Sequence, residues 1–122
     1  MSKPWSDEDR SRMRAELGFL KWEAMGHFFS DGDYLGFNQS DYRGAIAEYE
    51  KAWELLSSGW QQQTGGADIL EGIADFALRS EDPDLAAEIL DSLLPRVNRI
   101  AETSLRDACD KLARLASQRP QD

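Results

Sequence analysis

The chain has 122 residues, of which 41% are apolar and 30% charged, and its 23 acidic and 14 basic side chains leave a net charge of −9. That length and composition describe one soluble globular domain over 1–122, large enough for a core and too small for two, with ends at 1–5 and 118–122 expected to fray. No apolar run approaches the roughly 18 residues needed to cross a bilayer, and the opening MSKPWSDEDRSRMRAELG holds no apolar signal core. A single cysteine, Cys109, excludes an internal disulfide and fits a reducing, cytoplasmic setting.

The first helical signal is Ser6 followed by Asp7, Glu8 and Asp9, an N-cap with acids at the positive end of a helix. From there Met13, Leu17, Leu20, Ala24 and Phe28 recur at steps of three and four, which predicts one continuous buried stripe ending near Gly32. A second helix is expected from Ser40 or Asp41, burying Tyr42, Ala45, Ile46, Tyr49, Ala52, Trp53 and Leu56. After the glycine-rich break SSGWQQQTGG, a third helix takes Ala67 to Arg79 and buries Ile69, Ile73, Phe76 and Ala77. Asp82 then caps a fourth helix with Pro83 in its first position, where a missing N–H costs nothing, and Leu85, Ile89, Leu90, Leu93 and Leu94 form its stripe. Pro95 is expected to start a fifth helix that buries Val97, Ile100, Leu105, Ala108, Leu112 and Leu115, with Cys109 as a small core residue. No segment alternates with a period of two for long enough to be a strand. The expected fold class is all-α, about five helices in antiparallel pairs.

Within the first pair, Trp22, Met25, Gly26 and Phe29 follow W-x-x-L-G-x-x-Y, and Ala45, Tyr49 and Ala52 follow A-x-x-x-[FY]-x-x-A. Over Leu20–Leu56 this resembles a tetratricopeptide repeat, and 67–94 read as a degenerate second pair. The resemblance implies a right-handed α-α stack in which small Gly26 and Ala45 let the helices approach. It departs from the family between Phe29 and Ala45, where seven extra residues lengthen the turn, and Ser57 stands where a closing proline is expected.

That lengthened turn, FFSDGDYLGFNQSDYRGA, also invites a calcium reading, because Asp31, Asp33 and Gly36 fall on the first, third and sixth places of an EF-hand loop. Leu35 and Tyr42 occupy two places that need oxygen ligands, so a capped turn is expected, with no metal and no cofactor. His27 is the only histidine and has no nucleophile at a matching local spacing. The acids Glu48, Glu50, Glu54, Asp68, Glu71 and Asp75 read as exposed helix faces, and no carboxylate pair stands out as acid and base.

The charge is concentrated: residues 41–94 carry twelve acids against three bases (Arg43, Lys51 and Arg79). Such a block repels phosphate backbones, which argues against nucleic acid. The expectation is a non-enzymatic protein–protein interaction module whose acidic surface meets a basic protein and neutralises it, as an immunity protein or antitoxin does. A secretion chaperone or assembly adaptor is the alternative, followed by a small helical hydrolase or a calcium switch, and a homodimer is allowed. By the resemblance, Glu23, His27, Ser30 and Asp31 are the groove-facing candidates. The lengthened turn adds Asp33, Tyr34 and Phe37, and the polar linker adds Trp60.

Overall fold

The computed structural model describes residues 6–56, 61, 64–97 and 103–118. They form six α-helices: α1 (Asp7–Leu17), α2 (Phe19–Asp33), α3 (Tyr42–Leu55), α4 (Thr64–Arg79), α5 (Pro83–Val97) and α6 (Thr103–Ala116). A π-helical turn, Tyr34–Asn38, extends α2. The fold is all-α, with no strand among the described residues, and no helix there is long and apolar enough to cross a membrane.

The expected first helix is two helices. Gly18 adopts φ 81 and ψ 162, a left-handed conformation that favours glycine, and it separates α1 from α2. The break resets the helical phase. Met13 is fully buried, but Leu20 is 80% exposed, and the buried face of α2 runs instead through Trp22, Met25, Phe29 and Gly32.

Gly32 does not end the helix, contrary to expectation. The backbone continues through Asp33 into the π turn, where Gln39 N–H bonds the Tyr34 carbonyl at 3.3 Å. Only Gln39, Ser40 and Asp41 remain as connection to α3, so the extra residues lengthen a helix rather than a loop. Ser40 supplies the left-handed residue (φ 54), and Asp41 N–H closes the end by bonding the Leu35 carbonyl at 2.8 Å. Asp41 then caps α3 as expected, its Oδ1 accepting from Gly44 N–H at 3.0 Å.

Where α2 meets α3, the close approach is at Gly32, not Gly26. A methyl group added at Gly26 would meet nothing within 4 Å, whereas one at Gly32 would lie 2.7 Å from Tyr49 Cδ1 and 3.2 Å from the Ala45 carbonyl oxygen. Gly72 of α4 presses on the other edge of the same Tyr49 ring, and Gly36 presses on Phe76. Tyr49 is thereby held between two glycines and makes edge contacts with Phe29 and Phe76, at centroid distances of 5.3 and 5.2 Å. This aromatic cluster is the centre of the core, joined by Met25, Ile69, Leu70, Ile73, Leu93, Leu105 and Leu112.

Helices α3 and α4 are antiparallel, as the Tyr49–Gly72 contact and the bond from Gln61 Nε2 to the Trp53 carbonyl show. Helix α5 runs parallel to α3, since Arg43–Glu88 and Glu50–Arg96 pair at nearly the same sequence offset, 45 and 46 residues. The first pair is well exposed and contributes little. In the second, Arg96 bonds Glu50 at 2.9 Å, bonds Ser92, and lies 5.2 Å over the Trp53 ring. This anchor explains a further departure from expectation. Pro95 starts no helix; it sits inside the last turn of α5, where Arg96 is held and Val97 is buried. Asp82 and Pro83 open α5 as expected, with Asp84 N–H bonding Asp82 Oδ1 at 3.0 Å. Helix α6 starts six positions after Val97 and packs on both α5 and α4. So short a connection between packed neighbours makes α6 antiparallel to α5, and hence parallel to α4. Ile100 lies outside the described residues.

Candidate interaction site

Two surfaces emerge from this arrangement. The first is the outer face of α2. Glu23, His27, Ser30 and Asp31 are all exposed, at steps that keep them on one side of the helix, opposite the face that packs on α3. Leu20, 80% exposed, and Tyr34, 55% exposed, lie at the two ends of the same stripe. Five of the eight candidate residues, Tyr34 included, are therefore brought together, and Leu20 adds a large apolar side chain that the core does not use.

The other three fall elsewhere. Asp33 is half-buried on the flank of α2 and accepts a 2.5 Å hydrogen bond from the Tyr49 hydroxyl, so its carboxylate holds the core tyrosine in place. Phe37, on the π turn, stacks towards Phe76 at 5.3 Å and carries the Arg79 guanidinium over its ring at 5.1 Å. Trp60 lies outside the described residues.

The second surface is a cleft of about 350 Å³ between α4 and α6. Helix α4 contributes Asp68, Glu71 and Asp75 to one wall, and α6 contributes Ser104, Ala108 and Lys111 to the other. Tyr49, Gly72 and Phe76 also line it, and Phe37, which is 42% exposed, stands at its edge beside Arg79. Each set of wall residues follows the three-to-four spacing that stacks side chains along one helix face. The sequence pointed to Asp68, Glu71 and Asp75 only as solvent-facing acids. They are half-buried because α6 packs alongside, and nothing local in the sequence announces which helix will lie beside α4.

The charges in the cleft are unevenly compensated. Asp75 bonds Arg79 Nε at 2.7 Å, and that hydrogen bond, with the attraction that accompanies it, raises the Arg79 pKa further. Glu71 accepts a hydrogen bond from the neutral Ser104 hydroxyl and makes no ion pair among the described residues. Lys111 makes no ion pair among the described residues. Asp31 and Asp33, the carboxylates of the calcium reading, sit on a continuous helix, one exposed and the other bonded to Tyr49. Among the described residues, no group of three or more His, Cys, Asp or Glu side chains converges on a point that would hold a metal. Cys109 is buried, and burial pushes its thiol pKa up, with Asp110 acting in the same direction; this disfavours the nucleophilic thiolate.

No protein-family model matches this chain, and neither the curated proteins nor the solved structures contain a match to it.

Proposed function

We propose that the protein is a non-enzymatic interaction module, built on a tetratricopeptide-like stack, that binds a basic protein through an acidic surface. The observation that carries this reading is the outer stripe of α2, where Glu23 and Asp31 are set between exposed Leu20 and Tyr34. Carboxylates that steer an approaching basic surface, next to apolar side chains that can be buried on contact, are the two components of a polar-rimmed interface. The net charge of −9 extends the steering beyond the stripe. A compact acidic binder of this kind suits neutralisation of a basic toxin, as an immunity protein or antitoxin. The cytoplasm is the compartment we assign, since Cys109 has no disulfide partner in the chain.

The cleft favours a second reading within the same class, a secretion chaperone or assembly adaptor that holds a segment of its client. Both readings are tested by capturing partners from the source cells on immobilised wild-type chain and on the Glu23→Lys/Asp31→Lys variant. Asp33 is left intact because it anchors Tyr49. A basic protein captured by the wild type, lost in the variant and weakened as salt rises is the expected result. Capture that is indifferent to both charge reversal and salt would refute the acidic-face mechanism.

A further inference from the structure

We propose that the cleft between α4 and α6 is a dipolar peptide site. It takes a short extended segment that carries a basic side chain at one end and an acidic side chain three residues away. The proposal rests on the reading of the chain as an interaction module and specifies what one of its surfaces recognises. Glu71 and Ser104 are hydrogen-bonded and mark one end of the cleft. Because α6 runs parallel to α4, Lys111 lies two helical turns further along the same wall as Ser104, and Arg79 lies two turns beyond Glu71. At 1.5 Å per residue the two ends are about 10 Å apart.

The ends are opposite in sign. Arg79 is neutralised locally by Asp75 and stacked on Phe37, so Lys111 is the cation that remains for a ligand. At the other end the Glu71 carboxylate bonds, among the described residues, a hydroxyl and no cation, so it remains for a ligand's cation. An extended peptide in the polyproline II conformation rises about 3.1 Å per residue with three residues per turn, so side chains three residues apart lie on one face, about 9 Å apart, and match the two charges. At the cleft's edge beside Arg79, Phe37 offers a partly exposed ring for an apolar side chain. The volume of about 350 Å³ lies at the small end of the range for binding pockets, which suits two or three side chains rather than a folded element.

The test uses the full-length chain, nitrogen-15 labelled, and a capped octapeptide Gly-Gly-Lys-Phe-Ala-Glu-Gly-Gly followed by NMR titration. Saturable shifts in 71–79 and 104–111 are expected, with a dissociation constant of about 0.1–1 mM. Replacing the peptide's Glu by Gln should weaken binding to the wild type about threefold to tenfold and leave binding to Lys111→Gln unchanged. Replacing its Lys by Gln should behave in the same way towards Glu71→Gln. Absence of saturation at about 5 mM, shifts confined to the α2 stripe, or losses that are independent of the two substitutions would each overturn the proposal. A basic partner that still binds Glu71→Gln and Lys111→Gln but not Glu23→Lys/Asp31→Lys would remove the cleft site and keep the interaction module. Loss of specific partner capture by the wild type as well would remove both.

Discussion

Alanine at Gly26 and at Gly32 should have opposite effects on stability, although both glycines lie within the same helix. In a helix interior, alanine is favoured over glycine by about 1 kcal/mol. At Gly26 the added methyl meets nothing within 4 Å, so that gain should appear almost intact. At Gly32 the methyl would lie 2.7 Å from Tyr49 Cδ1, and the groups around the Tyr49 ring resist its moving aside. Gly72 closes its far edge, Phe29 and Phe76 hold it edge-on, and its hydroxyl is tied to Asp33 at 2.5 Å. Overpacking a core that cannot relax costs about 3 kcal/mol, which outweighs the propensity gain and leaves Gly32→Ala about 2 kcal/mol less stable than wild type. The two variants should therefore differ by about 3 kcal/mol, or roughly 12 °C in Tm for a domain of this size. Thermal and urea unfolding followed by circular dichroism measures both numbers. If Gly32→Ala matched or exceeded the wild type, the wedged tyrosine would not be the centre of the core. A loss above about 1 kcal/mol at Gly26 would return the close approach to the position the repeat resemblance implies.

Two further outcomes are expected. Ser40 is an exposed L-residue at φ 54, so Ser40→Gly should raise stability by about 0.5 kcal/mol once the added freedom of the unfolded chain is subtracted, and a lower Tm would count against the helix-end geometry. Cys109 should react with iodoacetamide at pH 8 only as fast as the chain unfolds, and prompt labelling of the native protein would contradict its burial. The folded thiol holds its proton to higher pH than the unfolded one. Its contribution to stability is therefore complete below about pH 8.5, the unfolded value, and is lost as pH rises from there through the folded pKa.

The helical fold class was readable because burial on a helix leaves a periodic trace in the chain itself. Ala45, Ile46, Tyr49 and Ala52 in α3, and Leu105, Cys109 and Leu112 in α6, are buried where their spacing places them. The caps at Asp41 and Asp82 were equally legible, since a cap is a contact between residues two or three apart. The exposed stripe of α2 was drawn from the repeat resemblance, whereas the periodic stripe through Leu20 placed that residue on the buried face. Local signals misled where a backbone choice had to be made. Gly18 breaks a stripe that looked continuous, while Gly32 and Gly36 sit within helical backbone because Tyr49 and Phe76 occupy the space where their side chains would be. Pro95 stays helical because Arg96, one residue on, is held by a glutamate 46 residues away. The cleft depended most on tertiary structure. The spacings of Asp68, Glu71 and Asp75 and of Ser104, Ala108 and Lys111 each describe one helix face, but only the packing of α6 beside α4 turns the two faces towards a shared space. Periodicity is a property of a single segment, whereas a site between segments depends on which helices meet and in which direction they run.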